Sequence, residues 1–165
     1  MVLVNIKTFC LALVACLAAT GCGVYSFSGS LSSGIESVAV PIFENKTVEY
    51  GIAEELTSGI VDGFVADNTL KVVPRSKADA VLNGIIVRYE RVAYTYDEND
   101  QVQEYKVTIT ASARLLKTNG DVIWEGESLS GYGIYKAEGE TEEEGKTRAI
   151  AKIAEDIINR TVKAW

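Results

Sequence analysis

Histidine is absent from this 165-residue chain, and all three cysteines lie within the first 22 residues. Each absence excludes chemistry. Without histidine there is neither the usual general base near neutral pH nor the commonest metal ligand. Beyond Cys22 no thiol remains for a disulfide, a metal or a nucleophilic attack. The fold therefore has to rest on a conventional hydrophobic core, and a piece of about 140 residues is long enough to bury one. Positive charge is scarce as well: 16 Lys and Arg stand against 23 Asp and Glu, for a net charge of −7. That balance disfavours nucleic acid as a partner and flat adsorption to an anionic membrane. The serines and threonines have no histidine partner and no catalytic constellation is visible, so neither an enzyme nor a cofactor is expected.

One apolar run stands out, at the N-terminus. Lys7 is the only charge before Cys22, and residues 9–19 are apolar throughout. The run is shorter than the ~20 residues a membrane-spanning helix needs. It has the length of a signal-peptide core and is followed by small residues, Ala19-Thr20-Gly21. With Cys22 next, residues 1–21 read as an export signal and Cys22 as the site of lipid attachment. Leu13-Val14-Ala15-Cys16 reads as a competing lipidation box; an uncleaved anchor or a plain signal peptide is the remaining alternative. Loss of Lys7 with the signal makes the remainder more acidic still, so the lipid has to supply the membrane affinity, at about 0.8 kcal/mol per buried CH₂.

Residues 22–34 read as the lipidated N-terminus and a Ser/Gly-rich tether, with Val24, Tyr25 and Phe27 as apolar exceptions, and residues 35–165 as one domain. Residues 35–43 form a strand with Val38, Val40 and Ile42 on one face, followed by a turn at Glu44-Asn45-Lys46. Ile52, Leu56, Ile60 and Phe64 recur at helical spacing up to Asp67-Asn68. Gly59 and Gly63 weaken that helix by roughly 1 kcal/mol each but allow close approach to the sheet. Leu70–Val73 is a short strand before Pro74. Ala80–Tyr96 and Val102–Lys117 are long strands of a hairpin. Val81, Ile85, Val87 and Tyr89 form one apolar face, and Tyr105, Val107, Ile109, Ala111, Ala113 and Leu115 the other. Odd residues then oppose odd ones, which calls for an odd-numbered loop, Glu98-Asn99-Asp100. Asn119-Gly120 turns the chain into a further strand, Val122–Tyr135, broken at Gly131 or Gly133. The last helix opens on a capping-box pattern, Thr141-Glu142-Glu143-Glu144, and carries Ile150, Ile153, Ala154, Ile157, Thr161 and Trp165 on one face. The order predicts an α/β (α+β) two-layer sandwich: a mixed sheet of four to five strands with two helices on one face.

Several stretches, in their order and spacing, carry a resemblance. They are Gly21–Phe27, Val38-Ala39-Val40-Pro41-Ile42-Phe43-Glu44-Asn45, Tyr94–Asp97, Glu104–Ala111, Leu129-Ser130-Gly131-Tyr132-Gly133 and Ala154–Ile158. Over nearly the whole mature chain, this sequence resembles the LptE-type lipopolysaccharide-assembly lipoproteins. The resemblance implies an outer-membrane lipoprotein that plugs the β-barrel translocon LptD, helps it assemble and contacts lipopolysaccharide during export. It also implies two helices on one sheet. In such lipoproteins an Asp after the lipidated Cys commonly retains the protein at the inner membrane; Gly23 here is compatible with outer-membrane sorting. Val38-Ala39-Val40-Pro41 also resembles the opening strand of curli-secretion and peptidoglycan-synthase-activator lipoproteins, an alternative that acts through protein–protein contacts.

Lipopolysaccharide carries phosphates, so a contact site should present Arg or Lys. Arg88, Arg91, Lys106 and Arg114 on the long hairpin are the candidates, with Arg88 and Lys106 on the polar sheet face and Arg91 pointing the other way. The hairpin tip departs from a basic pattern, since it carries Asp97, Glu98 and Asp100. The plain alternative is that these are solvated charges. Tyr94, Tyr96 and Tyr105 cluster by the tip as candidates for barrel contact, with ordinary cross-strand packing as their alternative. Glu142–Glu144 reads as a solvated helix start, and Asp97–Asp100 as turn chemistry without the spacing of a Ca²⁺ loop. Asn45-Lys46-Thr47 and Asn159-Arg160-Thr161 match a glycosylation pattern that carries no weight in a bacterial lipoprotein.

Overall fold

A computed structural model describes residues 34–164. The expected export signal, Cys16, Cys22, the expected tether up to residue 33, and Trp165 lie outside the described residues. The strands are β1 (Ser37–Ala39), β2 (Glu44–Asn45), β3 (Lys71–Val72), β4 (Ala80–Tyr96), β5 (Val102–Lys117) and β6 (Val122–Lys136). The helices are α1 (Ile52–Asp67) and α2 (Glu142–Val162), and a 3₁₀ turn spans Arg75–Lys77. The sheet runs β3-β1-β4-β5-β6, with β2 also on β4. The pairs β1/β3, β1/β4 and β2/β4 are parallel; β4/β5 and β5/β6 are antiparallel. Buried side chains of both helices and of one sheet face form a single cluster, so the two-layer α+β sandwich stands, with β2 as a sixth, short strand.

The first strand is shorter than its apolar pattern suggests. One more residue lies between Ala39 and Glu44 than between their partners Val81 and Ile85. The chain passes Pro41, which has no N–H for a ladder, and changes phase. Phe43 therefore turns into the core while Ile42 is left 66% exposed. The expected turn at Glu44-Asn45 is instead strand β2, paired with Ile85-Ile86.

A similar slip corrects the face of β4. Between the pairs Ile86–Ala111 and Arg88–Thr110 the strand carries an extra residue, Val87. Beyond this bulge odd opposes odd as far as Ala93–Tyr105, as in Tyr89–Ile109, but before it Leu82 opposes Leu115, and a further shift near the tip sets Thr95 opposite Glu104. The residues that β4 gives to the main core are Ala80, Leu82 and Ile86; of the expected face, Val81 is buried in a separate small cluster with Ala39 and Ala78, Tyr89 packs partly against the main core, and Val87 is exposed. A bulge kinks one strand and resets its alternation, which a single unbroken parity cannot anticipate. At the tip, the Asp97 N–H donates to Gln101 O and Asp100 adopts a left-handed φ of 59°. That closes the expected three-residue loop. The Asp97 carboxylate accepts from the N–H groups of Gln101 and Asn99, both at 2.8 Å, and these bonds hold its pKa below the usual aspartate value. Turn chemistry thus accounts for the first of the tip acids.

Helix α1 buries Ile52, Leu56, Ile60 and Phe64 as spaced, and Asn68 caps its end in the left-handed conformation. Gly59 and Gly63 face α2 rather than the sheet: a Cβ at Gly59 would lie 2.9 Å from Ile150 Cγ2, and one at Gly63 would collide with Ile158. The capping box of α2 is formed, with Glu144 N–H donating to Thr141 Oγ1 at 3.3 Å and Thr141 N–H to Glu144 Oε2 at 2.7 Å.

Strand β6 is not broken at Gly131 or Gly133. Its irregularity falls earlier, where Gly126 pairs Ala113 and Leu129 pairs Ala111. The two glycines serve contact instead. A Cβ on Gly133 would strike Gly145 O and lie 2.7 Å from Arg148 Cβ; one on Gly131 would strike Ala149 O and lie 2.6 Å from Ile153 N. The backbone of α2 therefore rests directly on β6.

Candidate functional site

The helices cover one face of the sheet, and the charged candidates divide between its two sides. On the helix side, Arg91 stacks over the Tyr105 ring with its guanidinium carbon 3.8 Å from the centroid. Arg91 Nε also donates to Tyr135 Oη and lies 3.2 Å from Glu142 Oε2. The bond to Tyr135 is the main influence that raises the Arg91 pKa. Tyr89 Oη donates to Glu142 Oε1 at 2.8 Å, and burial followed by that bond pushes the phenol pKa up. Tyr105 and Tyr135 stack at 5.4 Å. These contacts fasten β4 and β5 to the start of α2. Tyr105 thus lies on the opposite face from Lys106 and is separated from Tyr94, contrary to the expected cluster.

Beside this brace is a buried cation that no local sequence pattern marks. Lys146, with a side chain 7% exposed, lies 2.8 Å from Glu143, 3.1 Å from Glu55 and 3.4 Å from Glu49. Burial works against its charge, but the bonds to Glu143 and Glu55 outweigh burial and raise its pKa above the ordinary lysine value. The ion pairs join both helix starts to the loop before α1. Breaking a buried pair costs about 3–5 kcal/mol when the abandoned charges stay buried. Here the carboxylates are partly solvated and can turn outward, so Lys146→Met is expected to cost about 1–3 kcal/mol in urea denaturation. Because the folded pKa is raised, the contribution is complete below the unfolded lysine value and is lost only as pH climbs through the folded one. The wild-type advantage should therefore stay constant from about pH 6 to 9. A deficit that rises or falls within that window would contradict the assignment.

The helix-free face carries Lys106. In the register its neighbours are Val92 on β4 and Ile134 on β6. Its ammonium lies 5.3 Å from the Tyr94 ring centroid and 5.9 Å from that of Tyr132. Both distances lie within cation–π range, and the diagonal placement is what long cross-strand side chains reach. Val92, Tyr94 and Tyr132 are exposed around it, and Tyr96 is exposed nearer the tip. The other candidates are engaged by carboxylates: Arg88 with Glu90 at 3.4 Å, Arg114 with Glu125 at 3.7 Å, and Arg91 as described. Lys106 forms no ion pair among the described residues. Tyr132 completes the patch. The alternation Ser130, Tyr132, Ile134 points to it, but only if β6 is read as continuous through its glycines. No helix among the described residues is long and apolar enough to cross a membrane.

Several solved structures share this fold. A hypothetical protein of Chlamydia trachomatis aligns with TM-score 0.58 at 10% identity, covering 78% of this chain and 96% of its own. A protein of Xanthomonas campestris aligns with TM-score 0.55 at 14% identity, covering 78% and 84%. A minor lipoprotein of Acinetobacter baumannii aligns with TM-score 0.51 at 14% identity, covering 78% and 92%. Identities this low establish the fold alone. No curated protein matches the sequence. Family comparison is decisive where these are not: residues 35–161 match the LptE family, described as lipopolysaccharide-assembly, and the chain therefore belongs to that family.

Proposed function

We propose that this chain is an outer-membrane lipoprotein, anchored through Cys22, that partners an LptD-type β-barrel and contacts lipopolysaccharide with its helix-free sheet face. Membership of a lipopolysaccharide-assembly family supports the setting. The observation that carries the contact is Lys106, a cation between two tyrosine rings with no ion pair among the described residues, on a face that the helices leave open. An ammonium of this kind suits a phosphate, and its aromatic flanks suit an amphipathic ligand or a barrel wall. Arg88 and Arg114 extend the same face as weaker candidates, because each already has a carboxylate partner. Arg91 and Tyr105 serve the brace to α2, and Tyr94 and Tyr96 are the exposed candidates for barrel contact. The work done is binding and positioning, not turnover.

The test is photo-crosslinking in cells from position 94, with barrel and glycolipid adducts resolved separately. Lys106→Glu reverses the charge without breaking an ion pair. It is expected to lower the glycolipid adduct by at least about fivefold, in keeping with a charge-assisted bond worth roughly 1.5–3 kcal/mol, while leaving the denaturation midpoint unchanged. An undiminished glycolipid adduct would remove lipopolysaccharide from this face. Absence of the barrel from all adducts would instead favour a different periplasmic partner.

A further inference from the structure

The segment Asn45–Gly51 overlaps the turn expected at Glu44-Asn45-Lys46 and contains a glycosylation-like triplet. In the structure Asn45 is its hub. Asn45 Oδ1 accepts from Thr47 N–H and Thr47 Oγ1, both at 2.8 Å, and Asn45 Nδ2 donates to Glu49 O at 2.7 Å. Glu49 N–H donates to Thr47 Oγ1 at 3.1 Å, and Lys46 N–H to Ile86 O on β4 at 2.9 Å. The Glu49 carboxylate is held by buried Lys146 at 3.4 Å. Asn-x-Thr here is an Asx turn that builds a rigid loop.

This loop displays Val48 and Tyr50 at full exposure, 105% and 96%. Neither side chain contributes to the core, and burying a valine or a tyrosine elsewhere on the molecule would be favourable. A loop fixed by side-chain bonds has already lost the entropy that a partner would otherwise have to overcome, which is how preorganised contact sites gain affinity. The surrounding charge narrows the partner. Glu44 pairs with Lys46, and Glu49, Glu55 and Glu143 share the single buried Lys146, so with Glu54 the carboxylates around the loop still outnumber these cations five to two and an anionic lipid surface is repelled. A protein socket that is apolar at its centre and rimmed by Lys or Arg is complementary.

We infer that Asn45–Gly51 is a preformed docking loop that inserts Val48 and Tyr50 into an apolar, basic-rimmed socket on the polypeptide of the barrel partner. This rests on the reading above that the partner is an LptD-type barrel. It adds a protein contact apart from the Lys106 face. The experiment uses the full lipidated chain co-expressed with the barrel, with a photo-crosslinking residue at 48, 50, 94 or 132 in turn. Barrel adducts from 48 and 50 are expected, mapping near Lys or Arg. The double variant Val48→Ser/Tyr50→Ser should recover at least about tenfold less barrel, the scale of a contact hot spot, with its denaturation midpoint unchanged. Asn45→Ala, which keeps both apolar side chains but frees the loop, should fall between it and wild type. Barrel adducts from 94 or 132 but none from 48 or 50 would overturn the docking loop and leave the functional reading intact. So would full recovery by the double variant. Lipid adducts or a second copy of this chain at 48 and 50 would also overturn it. No barrel adduct from any position would defeat the functional reading and the docking loop together.

Discussion

Replacing Gly133 with valine is expected to destabilise the domain by more than about 3 kcal/mol, a large part of the about 5–15 kcal/mol that holds an ordinary domain folded. The reason is geometric. Extra atoms in a packed core typically cost about 1–3 kcal/mol because neighbouring side chains can shift. At Gly133 the obstacles are Gly145 O and the Arg148 Cβ, both close to the α2 backbone, which has no rotamer to change. Relief requires lifting α2 from β6, and α2 carries Ile153 and Ile157, both fully buried. The lift would also strain the clamp at the helix start. There Arg148 donates to Ile134 O and pairs with Glu140 at 2.6 Å, and that pairing, with the Lys136 N–H, holds the Glu140 pKa down at about 2. Gly131→Ala should behave similarly against Ala149 O and Ile153 N. Ser130→Ala, on the exposed face of the same strand, is the control and should lie within about 0.5 kcal/mol of wild type. Urea denaturation midpoints decide it. Equal midpoints for Gly133→Val and Ser130→Ala would mean that the helix does not rest on these glycines.

The same glycines show what the sequence could and could not convey. Helix periodicity, the capping box and both hairpin turns are local patterns, and α1, α2, β4 and β5 appear where those patterns place them. A bulge is not local in this sense. Val87 looks like a core residue because it continues an alternation, and only pairing with β5 reveals that one residue has been inserted. Pro41 hides a similar change of phase, which exchanges Ile42 for Phe43. Gly131 and Gly133 suggest a break until the helix above them is known. For the candidate site, the face of Lys106 was legible from β5 alternation alone. Tyr132 was not, because it depends on β6 remaining continuous. Nor was the buried Lys146, whose three carboxylate neighbours come from two elements and a loop. Nothing in the sequence separates Lys106 from Arg88 and Arg114 as the cation without a carboxylate partner; that distinction is purely spatial.

Phe64→Ala and Tyr132→Ala are expected to differ by about 3 kcal/mol, although each removes a single aromatic ring. Phe64 is fully buried near the end of α1, within the cluster shared by both helices and the sheet. Its truncation loses the burial of the ring and leaves a cavity that the surrounding helices and sheet can only partly close, a change that typically costs about 3–5 kcal/mol. Tyr132 lies half in solvent on the helix-free face, with the Lys106 ammonium 5.9 Å from its ring centroid. Removing it should cost well under about 1 kcal/mol. Paired urea titrations under identical conditions check the difference, and comparable losses would mean that the open face is part of the folding core. The expected asymmetry has a functional consequence. Side chains that stability does not require can be varied without unfolding the protein, so loss of crosslinking in a Tyr94, Lys106 or Tyr132 variant can be assigned to contact rather than to collapse. A Phe64 variant that loses the same adducts would report only on the fold, and the contrast between the two separates a binding face from the scaffold that holds it.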